Sequence, residues 1–122
     1  MEKVLANVQN RENSHYLKWI KVQVKDAIKL IPVEEVYYFQ SNYKYTMVVT
    51  QERESLIKKP IHELEQELDP DKFWRIHRGT IVNAAYIDKV SSSSTGRGVL
   101  KLRGRTEFHT VSRSYAHIFK KM

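Results

Sequence analysis

Hydrophobic and polar residues alternate along much of this chain, in short stretches that are typical of β-strands. Ile20, Val22 and Val24 fall on one side of an extended backbone and polar residues on the other, which predicts a half-buried strand. Residues 27–31 predict a second strand that ends at Pro32. Further strands are predicted at residues 36–40, 43–50, 55–59, 99–103 and 105–111.

Two other segments have the period of an α-helix. In residues 60–68 the apolar side chains recur every three or four positions, a proline suits the first turn, and Asp69-Pro70 ends the helix. At the C-terminus the same spacing is shared by Tyr115, Ile118, Phe119 and Met122. The chain is therefore predicted to be mainly β, with many short strands, one mid-chain helix and a C-terminal helix.

The length of 122 residues suits one domain and is too short for two full-size cores. Residues 1–15 are polar and are interpreted as a leader or linker, which leaves residues 16–122 as the folded domain. The absence of cysteine excludes disulfides, cysteine-ligated metals and a thiol nucleophile. No apolar run approaches the ~18 residues of a membrane helix, and the N-terminus lacks a signal-peptide layout, so a cytoplasmic location without membrane attachment is expected.

The formal net charge of +7 is unevenly distributed. Residues 1–71 hold 10 basic and 12 acidic side chains, a net −2, whereas residues 72–122 hold 11 basic and 2 acidic side chains, a net +9. A basic half favours a face that binds a polyanion, and nucleic acid is the commonest polyanion. A soluble protein with an uneven surface is the alternative.

An arginine stands at a predicted turn within residues 73–83. Arg75 and His77 alternate with apolar residues along a predicted strand, which Arg78-Gly79 then interrupts. A guanidinium held on such a tip can bind guanine O6 and N7, or a phosphate. A solvated surface arginine fits the same pattern.

A second arginine stands at the predicted start of the C-terminal helix. Ser112 or Ser114 can cap that helix, where free backbone N–H groups and the helix dipole attract a phosphate. Arg113 is unfavourable for the dipole at this position, so its presence indicates contact with an anion. The alternatives are extension into solvent or an ion pair with Glu107.

A polar break at Ser41-Asn42 separates two predicted strands. Asn42 can pair with adenine, and Lys44 with phosphate or guanine. An ordinary hairpin turn, in which asparagine tolerates positive φ, is the competing interpretation. The neighbouring tyrosines suit base stacking or, more commonly, packing within a sheet.

Known catalytic and metal-binding motifs are missing from the sequence. The five histidines show neither i, i+4 ligand spacing nor an HExxH pattern, and the four glycines form no phosphate-binding loop. A hydrolase built on His77 or His109 would lack a nucleophile and carboxylate partners. We therefore predict no enzyme activity, no metal and no cofactor.

Five segments of the chain carry an ordered set of motifs. They are residues 31–39, residues 42–43, the helix that ends at residues 69–70, the Phe-Trp-Arg-Ile-His-Arg and Ile-Val-Asn runs of residues 73–83, and Val-Ser-Arg-Ser-Tyr at residues 111–115. In this order and spacing they resemble the LytTR domain of bacterial transcription regulators. The resemblance covers roughly residues 17–122.

The resemblance implies about ten short antiparallel strands in three small sheets, and DNA binding by tandem copies on direct repeats. Loops at strand junctions, instead of a recognition helix, would enter successive major grooves. It implies base contacts from residues 42–45, Arg78 and Arg113, and the chain departs from the family at Gly79, where serine is common. The DNA-binding candidates are Asn42, Tyr43, Lys44, Tyr45, Arg75, His77, Arg78, Arg97, Ser112 and Arg113. Those expected on phosphates are Lys44, Arg75, Arg97 and Ser112.

The sequence thus predicts sequence-specific binding of double-stranded DNA by a bacterial transcription regulator. Its rivals are a β domain that binds RNA or single strands and a protein-interaction domain with incidental charge. By resemblance, the partners are duplex DNA with tandem direct repeats and a second copy of the chain on that DNA. A receiver domain or an upstream kinase of a two-component signalling system would lie outside this chain.

Overall fold

A computed structural model of the protein describes residues 16–92 and 98–120. The strands are β1 (Trp19–Val24), β2 (Ala27–Pro32), β3 (Val36–Asn42), β4 (Tyr45–Thr50), β5 (Glu54–Ile57), β6 (Phe73–His77), β7 (Thr80–Asn83), β8 (Ile87–Ser92), β9 (Gly98–Leu102) and β10 (Phe108–Val111). The helices are α1 (Ile61–Glu67) and α2 (His117–Lys120), and 3-10 turns lie at Val33–Glu35, Ala84–Tyr86 and Arg113–Tyr115. The predicted mainly β fold with a mid-chain and a C-terminal helix is confirmed. The predicted leader, residues 1–15, and the candidate Arg97 lie outside the described residues.

Strand pairing in the described ranges produces three antiparallel sheets. β1 and β2 form a hairpin, the central sheet has the order β5-β4-β3-β7-β6, and the third sheet has the order β10-β9-β8. In the central sheet Gln40 of β3 pairs with Met47 on one side and with Thr80 on the other. Because β3 runs antiparallel to both neighbours, the β3–β4 turn and the β6–β7 turn lie at the same end of this sheet.

The central sheet is covered on both faces. On one face, Phe39 and Ile81 pack with Leu64 of α1 and Ile20 of the β1–β2 hairpin. On the other face, the buried residues of the third sheet are Leu100, Leu102 and Val111. Strands buried on both faces hold the turns between them in fixed positions, which matters for the site described below.

Two elements form as the alternation and the helical period predict. In β1, Ile20 and Val22 are buried, whereas Trp19, Lys21 and Gln23 are exposed. α1 begins directly after Pro60, buries Leu64 completely, and ends before Asp69-Pro70. In both cases one face of the element is apolar, and burial of that face selects the structure.

The position of the β3–β4 turn differs from the prediction. β3 continues through Asn42, which pairs with Tyr45, so the turn consists of Tyr43 and Lys44. The predicted break at Ser41-Asn42 and the predicted strand start at Tyr43 are therefore wrong. Pairing with β4 extends the strand over two residues of low strand propensity, and Tyr43 takes the left-handed conformation, with φ of 58°, that closes the turn.

Two later boundaries also differ from the prediction. β10 begins at Phe108 instead of residue 105, because residues 103–107 form the turn, in which Arg105 pairs with Glu107. The C-terminal helix begins at His117, later than a cap at Ser112 or Ser114 predicts, since the serine-capped segment before it forms a 3-10 turn. Apolar spacing alone does not distinguish a 3-10 turn from the first turn of an α-helix.

A polar cluster lies between the central sheet and the third sheet. The Tyr38 hydroxyl donates to Glu107 Oε2 at 3.3 Å, and the Arg105 guanidinium donates to both Glu107 oxygens at 2.9 and 3.1 Å. Burial and the Glu107 charge raise the pKa of Tyr38 to about 12, and the hydrogen bonds from Arg105 lower the pKa of Glu107. Glu107, which the sequence suggests as a partner for Arg113, is thus held by Arg105 and Tyr38.

His109 makes this cluster sensitive to acid. Its ring lies edge-on to Tyr38 with centroids 4.3 Å apart, and its Nε2 is buried without a hydrogen-bond partner among the described residues. Burial lowers the pKa of His109 below the value of 6.5 that applies to an exposed imidazole. As the pH falls through 6.5, His109 is therefore protonated in the unfolded chain while it stays neutral in the folded chain.

We expect the folded protein to lose stability as the pH falls from about 7.5 to about 5.5, and His109→Phe to reduce this loss. Phenylalanine keeps an aromatic ring against Tyr38 and cannot be protonated. Urea unfolding at the two pH values measures the effect as a shift in midpoint. Equal shifts in the wild type and the variant would contradict the role given to His109.

Candidate nucleic-acid interface

Three segments meet at one end of the central sheet, and they carry most of the candidate residues. They are the β3–β4 turn, the β6–β7 turn, and the junction between β10 and the 3-10 turn Arg113–Tyr115. The Ser41 N–H donates to the Gly79 carbonyl oxygen at 2.8 Å, and the Ser112 N–H donates to the Ile76 carbonyl oxygen at 2.8 Å. These backbone hydrogen bonds hold the three segments side by side.

Arg78 is exposed at the tip of the β6–β7 turn. β6 changes register between Arg75 and His77, and the Gly79 N–H then donates to His77 Nδ1 at 3.3 Å. A Cβ atom on Gly79 would lie 2.5 Å from Ser41 Oγ. Glycine thus permits the close approach of β3 to this turn, and a serine at this position would require the Ser41 side chain to move.

Arg113 lies on the segment next to this turn. Ser112, one of the two predicted caps, caps the 3-10 turn instead of the α-helix, since its Oγ accepts a hydrogen bond from the Ser114 N–H at 3.3 Å. Arg113 follows directly and is exposed. Arg113, Ser112, Thr110 and His77 line one open cleft, so two of the three segments face the same space.

The side chains of the β3–β4 turn project away from the core. Tyr43 is fully exposed, Lys44 is exposed and Tyr45 is 43% exposed, while Asn42 is half-buried. The two exposed tyrosines differ in this respect from Phe39 of the same sheet, which is completely buried. Their rings are accessible to a ligand instead of packed within the sheet.

Arg75 differs from the other cationic candidates. Its side chain is only 15% exposed, and its Nη1 donates to Glu65 Oε1 of α1 at 2.7 Å. His77, two residues further along the same strand, is exposed. The structure therefore brings Arg75 to the site but directs its guanidinium toward the protein.

The sequence interpretation missed Ser41, Glu65 and Tyr115 as parts of this site. Ser41 donates to the Gly79 backbone in the neighbouring turn, and Glu65 and Tyr115 contact the Arg75 guanidinium. A glycine where the family commonly has serine was the one signal for the close approach at Ser41.

Within residues 16–92 and 98–120, no three His, Asp or Glu side chains come close enough to hold a metal ion. In the same ranges, no helix is long and apolar enough to cross a membrane. What the described site offers a ligand is exposed cations, an amide, hydroxyls and aromatic rings.

Comparison with known proteins identifies the family. The LytTr DNA-binding domain matches residues 26–122. The chain is 34% identical over 109 residues to an uncharacterized response regulatory protein of Vibrio cholerae, covering 86% of this chain and 41% of that protein. It is 33% identical over 97 residues to the positive alginate biosynthesis regulatory protein of Pseudomonas aeruginosa, covering 79% of this chain and 39% of that protein. The chain thus spans about two fifths of the length of these relatives.

A solved structure has the same fold. It is the LytTr DNA-binding domain of a Bacillus cereus protein described as a methyl-accepting/DNA response regulator. The TM-score is 0.77 and the identity 28%, and the match covers 86% of this chain and 95% of that chain. The family match, the relatives and the fold agree with the motifs at residues 73–83 and 111–115. The chain belongs to the LytTR family of DNA-binding domains.

Proposed function

We propose that this domain binds double-stranded DNA with sequence specificity, as the DNA-reading part of a bacterial transcription regulator, and that it is not an enzyme. The observation that carries the proposal is the meeting of three exposed segments at one end of a rigid sheet, each with side chains suited to DNA. The regulatory proteins among its relatives support a role in transcription. Such a regulator works in the cytoplasm.

In this proposal the segment tips read the bases. Arg78 and Arg113 present guanidinium groups that fit guanine O6 and N7 in the major groove, and Asn42 presents an amide for adenine. The helices are poorly suited to reading bases, because the described part of α2 has four residues and α1 exposes Glu63 and Glu65, which phosphates repel.

Apart from Arg75, the remaining candidates contact the DNA backbone or the edge of the contact. Lys44 and His77 are exposed beside the base-reading tips. Ser112 lines the same cleft as Arg113. Tyr43 and Tyr45 lie against sugars or bases at the edge of the contact. Arg97, a phosphate ligand by this proposal, completes the set.

A selection of bound sequences from random duplex DNA tests the proposal. We expect enrichment of a defined motif, repeated in the same orientation about 10–10.5 base pairs apart, because tandem copies would occupy successive turns of one DNA face. Recovery of random sequences would contradict specific binding. Tighter binding to single-stranded DNA or RNA of the same sequence would favour the rival β domain that stacks bases on tyrosines.

Partners outside this chain follow from the same proposal. A second copy on the adjacent repeat makes binding cooperative along the DNA, and a receiver domain phosphorylated by a kinase supplies the signal. Titrations of one-site and two-site duplexes measure the cooperativity between two copies. Joining the domain to a receiver domain tests whether that domain supplies the signal.

Lys44→Ala is expected to weaken binding to all duplexes by a similar factor. The exposed ammonium at the β3–β4 turn contacts a phosphate, which carries no sequence information. Removing one phosphate contact lowers the slope of log affinity against log salt by about 0.9. Titrations of the selected duplex and a random duplex at several salt concentrations measure both effects, and a loss confined to the selected duplex would contradict a phosphate role.

A further inference from the structure

Arg75 connects three parts of the site from one edge of the central sheet. It lies on β6, which is an edge strand of this sheet. Its Nη1 donates to Glu65 Oε1 of α1 at 2.7 Å, and its Cζ lies over the Tyr115 ring, 5.6 Å from the centroid. α1 packs on one face of the sheet, and Ala116, next to Tyr115, packs on the other, so Arg75 contacts elements from both layers.

The same guanidinium also binds the backbone of the turn that presents Arg78. Its Nε donates to the His77 carbonyl oxygen at 3.3 Å, and its Nη2 donates to the Arg78 carbonyl oxygen. Donors on all three guanidinium nitrogens thus have partners within the protein. A lysine could not reproduce this arrangement, since its ammonium is a single point of charge without the planar fork.

These contacts place Arg75 between the two arginines proposed to read bases. Arg78 lies on the turn whose carbonyl oxygens Arg75 binds, and Arg113 begins the 3-10 turn that ends at Tyr115. We infer that Arg75 is a positioning residue that sets the spacing of Arg78 and Arg113, and that it is not a phosphate ligand. The inference rests on the proposed function of these two arginines.

Charge and burial support this assignment over the phosphate role. A phosphate oxygen would have to approach Arg75 next to the Glu65 carboxylate, and the Arg75 side chain is only 15% exposed. Glu65 itself would repel an incoming phosphate. Because base contacts require a geometry held within about 0.5 Å, loss of the Arg75 contacts disturbs discrimination more than general attraction to DNA.

The experiment compares affinity for the duplex selected by the wild-type chain with affinity for a random duplex of equal length. Arg75→Lys keeps the charge and loses the fork. We expect its affinity for the selected duplex to fall roughly tenfold or more, as one misplaced base contact would cause, with random-duplex affinity and salt slope nearly unchanged. A phosphate ligand behaves differently: lysine would substitute for it on both duplexes.

Two substitutions in α1 provide a matched comparison. Glu65→Ala removes the partner of Arg75, and Glu63→Ala removes an exposed carboxylate from the same helix, two residues earlier. Both raise general attraction to DNA by the same loss of negative charge, so their difference isolates the contact with Arg75. We expect only Glu65→Ala to lower the ratio of selected to random affinity, by roughly fivefold.

Three outcomes would overturn the inference. The first is that both Arg75→Lys and Glu65→Ala distinguish the selected duplex from the random duplex as well as the wild type does. The second is an Arg75→Gln variant that loses affinity equally on both duplexes while its salt slope falls by about 0.9, as expected for a phosphate ligand. In the third, the wild type shows no discrimination, and the proposed function fails together with the role of Arg75.

Thermal unfolding of each variant identifies loss of folding. Glu65→Ala, at an exposed helix position, carries the test if the Arg75 variants unfold.

Discussion

Alanine at both Arg78 and Arg113 is expected to leave a folded domain that binds DNA but loses most of its preference for its selected sequence over random duplex. Each single substitution removes one bidentate base contact and weakens binding to the selected duplex by about 1–3 kcal/mol. The two side chains lie on neighbouring segments joined by the Ser112–Ile76 hydrogen bond, so their effects need not add. Titration of both duplexes with the single and double variants measures the loss and the coupling.

Arg53→Ala is the matched control for this prediction. Arg53 is also an exposed arginine at a turn of the central sheet, between β4 and β5. That turn lies at the opposite end of β4 from Tyr43 and Lys44, so the control removes the same charge away from the site. Equal losses on selected and random duplexes in Arg113→Ala would contradict base reading, and a loss of discrimination in Arg53→Ala would contradict the location of the interface.

Asn83→Ala is expected to destabilise the fold by about 2–4 kcal/mol, because it removes three hydrogen bonds to the backbone, one of them to the buried carbonyl oxygen of Val36. The Asn83 side chain is 4% exposed at the end of β7. Its Nδ2 donates to the carbonyl oxygens of Val36 and Glu34 at 3.0 and 3.3 Å, and its Oδ1 accepts from the Ala85 N–H at 3.0 Å. This one amide therefore joins the start of β3 to the turn after β7.

Urea unfolding of Asn83→Ala and Asn42→Ala provides the measurement and its control. Asn42 is half-buried at the other end of β3, and its side chain is proposed to meet DNA instead of the protein backbone. Asn42→Ala should change the unfolding free energy by less than about 0.5 kcal/mol, as for a surface substitution, and reduce discrimination. Similar unfolding free energies for the two variants would contradict the structural role of Asn83.

Asn83→Asp gives a second check on the same contacts. The carboxylate can still accept from the Ala85 N–H, but it cannot donate to Val36 and places negative charge against a carbonyl oxygen. We expect it to be at least as destabilising as alanine at neutral pH, and to improve relative to alanine at acid pH, where a neutral carboxyl group can donate. The urea midpoints of both variants at about pH 7.5 and about pH 5.5 measure this difference.

Local chemistry explains which elements could be predicted and which could not. Alternation places β1 correctly because Ile20 and Val22 need one buried face, and Pro60 and Pro70 bound α1 by their effect on the backbone. The local pattern places the β3–β4 turn two residues early because Asn42 has low strand propensity, yet pairing with Tyr45 outweighs that propensity. A strand boundary is settled by the partner strand, which local sequence does not contain.

The candidate residues also divide into those that local sequence identifies and those whose role depends on distant contacts. Arg78 and Arg113 can be selected from the sequence because a turn and a serine cap present them, and both features are local. Arg75 has the same residue type and the same basic surroundings in sequence, but its guanidinium is directed to Glu65 and the turn carbonyl oxygens. Its orientation depends on α1 packing beside β6, so sequence reasoning assigns it to a phosphate.

The sequence by itself determined the mainly β composition of the fold, the mid-chain helix, the basic C-terminal half and the motifs that place the chain in the LytTR family. These features depend on side-chain periodicity, turn chemistry and residue identity, all of which act over a few neighbouring positions. Only the tertiary structure decided that the turns carrying Lys44 and Arg78 meet Arg113 at one end of a sheet, and that Arg75 joins them to α1. Those outcomes depend on the pairing of Ser41 with Gly79 and of Ile76 with Ser112, contacts between distant residues that form only when the sheets assemble.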